Sequence, residues 1–178
     1  MATMIDAPPD GGLAAAKAYL RIDTGEEDAL LGLLIAAAVA ICERFTGLAL
    51  FARDRNDILA AADGAWRLLP ATPVSAITAV AIVDAAGVAS ALPVASYAID
   101  IDAGGDGWVR VGGGPGVRVR VSYRAGLAAD WASLPPALAQ GVVRLAAHLY
   151  AHRDEADDAG PPAAVAALWR PFRRMRLS

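Results

Sequence analysis

Three observations predict an α+β fold: helical hydrophobic spacing at both ends of the chain, period-two alternation between them, and turn residues where the period changes. The helical ends are residues 13–47 and 135–168, and the alternating middle is residues 48–124. The predicted order is an N-terminal helical hairpin, a small antiparallel β module, then C-terminal helices and an extended basic tail. Residues 1–12, rich in Pro and Gly, read as a flexible arm, 13–168 as one domain, and 169–178 as a separate basic tail.

Residues 13–22 repeat apolar positions at helical spacing, and a turn at 23–25 leads into a long second helix over 24–47. Thr24 and Glu27 have capping-box spacing, and Glu26, Glu27 and Asp28 place negative charge at the positive end of the helix dipole. Arg44 stands near the other end, and Gly47 is placed to take the left-handed conformation that closes a helix. Between Ala29 and Cys42 there is no charge, so the helix is expected to be covered on most sides.

The middle reads as short strands. Residues 50–58 alternate weakly, with Arg53, Arg55 and Asp57 on one face, and 65–69 follow a turn. The β-branched run 77–84 predicts a strand, with 88–92 as its partner across a turn at 85–87. Residues 97–102, 108–111 and 117–123 complete the set. In the last, Val117, Val119, Val121 and Tyr123 share one face and Arg118, Arg120 and Ser122 the other, the pattern of a half-buried antiparallel strand. The glycine run 112–116 between the last two strands reads as a hairpin tip.

Pro135 and Pro136 suit the first turn of a helix over 137–152, and Pro161 and Pro162 open a shorter one through Trp169 that Pro171 ends.

At 178 residues the chain is long enough for a real core, and 56% of it is hydrophobic while 6% is aromatic. Small apolar residues dominate that total, a composition suited to close approach of elements and to completion by other subunits. A net charge of −3 gives no global basic field for nucleic acid. The single cysteine, Cys42, sits in an apolar helix as a small core residue of a reducing compartment. The uncharged run is shorter than the roughly 20 apolar residues a bilayer crossing takes, and the N-terminus lacks the pattern of a signal peptide, so no membrane partner is expected.

Reactive chemistry is poorly supplied. His148 and His152 have a metal-ligand spacing, but Leu149 stands where the metalloprotease helix carries Glu. Asp100, Asp102 and Asp106 do not fit a calcium-loop spacing, and the 112–116 run leads into a strand rather than a helix N-terminus. No serine sits in a nucleophile elbow. The expectation is a non-enzyme with no cofactor and no metal.

The tail interleaves Trp169, Phe172 and Met175 with Arg170, Arg173, Arg174 and Arg176. Two readings compete: phosphate binding, and docking of aromatic and arginine anchors into a protein partner. The spacing of the aromatics and the acidic whole favour the protein partner.

Several stretches, in order, resemble one family, the head–tail connector (adaptor) proteins of long-tailed bacteriophages and phage-derived gene transfer agents. KAYLRIDTGEEDALLGLLIAAAVAICERFTG resembles the family's opening helix pair, and LPATPVSAITAVAIVDAAG its proline-led strand and turn. SYAIDID and VRVSYRAGLA are similar to later strands, and LPPALAQGVVRLAAHLYAHRDEA to the helix that ends in a His-x-Tyr-x-x-Arg-like pattern, here His148, Tyr150 and Arg153. PPAAVAALWRPFRRMRL resembles the closing helix and basic end.

The resemblance implies a structural connector domain over 13–168 that forms a ring of twelve copies beneath the portal protein of a filled head. Such a ring extends the DNA channel and offers its other face to the next neck or tail connector protein. It implies a virion component assembled in the bacterial cytoplasm. It also implies that the closing segment docks on the portal, carried here by Trp169, Arg170, Phe172, Arg173, Arg174, Met175 and Arg176. Ala37 and Ala40 on the long helix, and Gly113, Gly114 and Pro115 in the glycine run, become the expected subunit or tail-side contacts. The alternatives are another ring-forming neck or tail-completion protein, a small nucleic-acid-binding protein using the arginine tail, and a metal-dependent hydrolase built on His148 and His152.

Overall fold

A computed structural model describes residues 11–61, 64–112, 116–152 and 160–174 of the chain. The described residues form two compact units, one drawn from Met1–Leu50 and Ala128–Ser178, the other from Phe51–Leu127. The first is helical and the second is built of strands, so the α+β class is as the periodicities predict.

The helical unit holds α1 (Gly12–Leu20), α2 (Asp28–Thr46), α3 (Pro136–Ala151) and α4 (Ala163–Trp169). α1 ends because Arg21 turns left-handed at φ 59°, which lets Ile22 N–H reach back to the Lys17 carbonyl at 3.0 Å. Lys17 Nζ then bridges the turn to Asp28 Oδ1 at 2.6 Å, which closes the predicted hairpin. Gly47 caps α2 as expected, at φ 75° with its N–H 2.8 Å from the Glu43 carbonyl. α3 and α4 start directly after Pro135 and Pro162, whose carbonyls accept the first helical N–H bonds.

Two expectations for α2 are corrected. The capping box between Thr24 and Glu27 does not form, because the helix starts at Asp28 and no side chain caps it. Glu27 instead accepts a hydrogen bond from Tyr150 Oη at 2.6 Å, tying the start of α2 to the end of α3. Nor is α2 covered on most sides. It packs on α1, α3 and α4 through Leu31, Ile35, Ala38 and Cys42, all fully buried. The opposite flank, with Leu33 68% exposed, Ala40 exposed and Ala37 half-buried, lies open. One helix flank is enough to meet the neighbours in this bundle, and the length and hydropathy of α2 exceed what the bundle uses.

The β unit contains β1 (Arg53–Ala60), β2 (Arg67–Leu68), β3 (Val74–Val83), β4 (Ala89–Ala91), β5 (Tyr97–Ile101), β6 (Gly107–Val111) and β7 (Arg118–Ala125). They form two antiparallel sheets, in the orders β1-β7-β3-β4 and β2-β6-β5. β3 and β4 pair as predicted, and Val119, Val121 and Tyr123 point into a core that also takes Val80, Val109, Val111 and Leu69. Arg118 and Arg124 lie on the exposed face, Arg124 paired to Asp54 at 3.1 Å. β6 and β7 belong to different sheets, so the glycine run joins the sheets and is not a hairpin tip. Val111 has already finished its ladder with Tyr97 before the chain crosses to pair Arg118 with Ala60 and Val83.

Candidate functional site

The expected docking segment begins where α4 ends. Val165 and Trp169, four residues apart, turn the same face of α4 into the helical unit and are 3% and 0% exposed. Trp169 lies 5.8 Å from the Phe45 ring, and its indole N–H points at the Leu138 carbonyl, 3.4 Å away. Gly141 leaves the space: a Cβ there would lie 2.1 Å from Trp169 Nε1. Trp169 therefore cannot meet a partner directly, and its part in the expected docking set is corrected to that of an internal anchor.

Beyond it, Arg170–Phe172 makes one 3₁₀ turn and the backbone becomes extended at Arg173. The Arg173 guanidinium sits 5.7 Å from the Phe45 ring centre, and Arg174 N–H donates to the Thr46 carbonyl at 2.8 Å. This fixes the segment against the C-terminal end of α2, where the unsatisfied carbonyls carry negative partial charge and favour arginine. Arg170 and Arg173 are exposed, while Phe172 and Arg174 are half-buried. Met175 and Arg176 lie outside the described residues, as do Gly113, Gly114, Pro115 and Arg153. The structure thus brings Arg173 and Arg174 together at one helix end, with Trp169 beneath. Ala37 and Ala40 stand on the open flank of α2.

The groups that would do chemistry are occupied otherwise. Cys42 is fully buried and burial pushes its thiol up to about 12, so it holds its proton and stays unreactive. His148 and His152 have ring centres 4.2 Å apart, and His152 Nδ1 lies 2.9 Å from the His148 carbonyl. Among the described residues no third His, Cys, Asp or Glu joins them in a metal-binding group. Burial and the hydrogen bond to Asp57 raise the Tyr123 hydroxyl well above its ordinary range, a structural tie inside the β unit.

Two structural features were not read from the sequence. Gly141 inside an apolar helix was the available signal for a close approach, since such a glycine costs about 1 kcal/mol unless packing needs it. The pairing of Trp66 with Arg110, whose guanidinium sits 5.0 Å from the indole centre, had no signal, because it depends on the β2–β6 register.

No protein-family model matches the chain, and no curated protein matches it significantly. Solved structures do. One is a chain in the neck of an empty gene transfer agent (GTA) particle computed with C6 symmetry, 33% identical, with a TM-score of 0.79 over 100% of this chain and 95% of that chain. A second is a chain in the virion of a native GTA particle, 32% identical, with a TM-score of 0.73 over 100% and 95%. A third, in the neck of a native GTA particle computed with C12 symmetry, is 32% identical, with a TM-score of 0.69 over 94% and 93%.

Proposed function

Because the chain belongs to the neck proteins of gene transfer agent particles, we propose that it is a head–tail adaptor, closing as a ring beneath the portal protein and linking the DNA-filled head to the tail. Its role is structural and its place is the particle neck. The observation that carries the reading is the 33% identity and TM-score of 0.79 over the full length of a neck chain. Similar chains occur in necks computed with C6 and C12 symmetry, which supports a ring of twelve copies around the DNA channel. A head-to-tail contact closes into such a ring when its rotation divides the circle.

Residues 13–168 serve as the connector body and the segment from Trp169 onward as its attachment to the portal. Arg170, Phe172, Arg173 and Arg174, with Met175 and Arg176 after them, supply the arginine and aromatic chemistry of interface anchors, and Trp169 roots them. The open flank of α2, with Ala37 and Ala40, meets the adjacent copy. Gly113, Gly114 and Pro115 face the next neck or tail protein.

Removing residues 170–178 tests the docking role. Trp169 stays, so the helical unit keeps its anchor and the circular dichroism spectrum and melting midpoint should hold. Filled heads should then accumulate without tails. Normal tail joining by the truncated protein would overturn the docking role, and salt-sensitive binding of the intact protein to DNA, lost on truncation, would favour the nucleic-acid reading.

A further inference from the structure

We propose that a pocket beside Trp66 and Arg110 in the β unit receives the acidic segment 154–158 of a neighbouring copy. The inference rests on the ring reading above and names a contact that would hold adjacent copies together. The pocket has a volume of about 360 Å³ and is lined by Ala95, Ser96, Tyr97, Ala98 and Arg110 among others. The antiparallel register of β2 on β6, Arg67 opposite Val109, brings Trp66 beside Arg110. Trp66 remains 41% exposed with the guanidinium 5.0 Å from its ring centre. An exposed tryptophan under an arginine that itself lines a concavity has the composition of an interface hot spot.

Charge identifies the occupant. Among the described residues Arg110 is the one charged residue lining the pocket, and no carboxylate among them pairs with it. The rest of the unit offers little spare charge, since residues 51–127 hold seven arginines and seven aspartates. The opposite chemistry is concentrated between α3 and α4, where Asp154, Glu155, Asp157 and Asp158 fall within five residues. A carboxylate against Arg110 forms a charge-assisted, bidentate hydrogen bond. An acidic segment on one unit and a basic pocket on the other are unlike patches, which is what a head-to-tail contact between copies requires.

The test mixes chains carrying S96C with differently tagged chains carrying A156C, free and in assembling particles, then oxidises them and reads the linked peptides by mass spectrometry. Cys42, fully buried, stays silent. The expected result is a disulfide joining residue 96 of one copy to residue 156 of another. Adding R110E to the S96C chain should lower its yield at least about tenfold, the worth of one charge-assisted hydrogen bond, and the neutral R110Q should lower it in the same direction. Copies that associate without this link overturn the contact alone. A chain bearing both cysteines that links only to itself overturns the assignment to a second copy. Copies that never associate, free or in particles, sink the ring reading and the contact with it.

Discussion

Gly141→Ala is a one-carbon change with a large expected effect. The new Cβ would lie 2.1 Å from Trp169 Nε1 and 2.7 Å from Cε2, well inside any real contact. Neither side can yield cheaply, since the Trp169 ring is fully buried and packed on Phe45. Overpacking of this kind costs about 1–3 kcal/mol, and expelling the indole would forfeit burial of the order of 3–5 kcal/mol. Alanine returns about 1 kcal/mol through its helix propensity. The net expectation is a destabilisation of up to about 2 kcal/mol if the ring shifts and about 2–4 kcal/mol if it is expelled, read from urea unfolding of the helical circular dichroism signal. A second background isolates the cause. In Trp169→Ala the ring is gone and the same substitution should be neutral, or stabilising by up to about 1 kcal/mol. Equal costs in both backgrounds would refute the packing argument. If residues 170–176 dock on the portal as proposed, attachment should weaken with Gly141→Ala as well, because Trp169 anchors the chain just before them.

Two further outcomes follow from exposure and titration. Ala40→Trp, alone or with Ala37→Trp, should leave the unfolding free energy within about 1 kcal/mol of native, since Ala40 is exposed and Ala37 half-buried, yet reduce ring assembly measured by native mass spectrometry. Normal rings from the double variant would show that this flank faces no neighbour. At alkaline pH the fold should weaken. Burial raises Cys42 from 9.0 to about 12, and burial followed by the Asp57 hydrogen bond raises Tyr123 above 10.0. Both groups keep their protons in the folded state after the unfolded chain has released its own. The stability they contribute is therefore fully present below pH 9 and lost progressively above it. Urea midpoints at pH 8 and 10.5 should differ, and the difference should shrink in Cys42→Ala; an unchanged difference would mean that the thiol ionises alike in both states.

Lys17 with Asp28, and Tyr150 with Glu27, close one end of the helical bundle. Arg110 in the β unit and Arg170 at the surface have no carboxylate partner among the described residues.

The sequence by itself determined what rests on neighbours along the chain. The α+β order, the prolines that open α3 and α4, Gly47 as a cap, the β3–β4 pairing and the inward face of β7 all follow from local period and turn chemistry. The tertiary structure decided what depends on distant residues meeting. Glu27 passed from an expected cap to a tie with Tyr150, 123 residues away, because a carboxylate near a helix start takes the stronger donor that packing supplies. Trp169 passed from an outward anchor to an inward one because Gly141 leaves room for a ring. β6 and β7, which flank one short loop, went to different sheets because register is set by the strands beside them. The apolar character of α2 was legible from its residues, but which flank stays open was set by the helices packed against it.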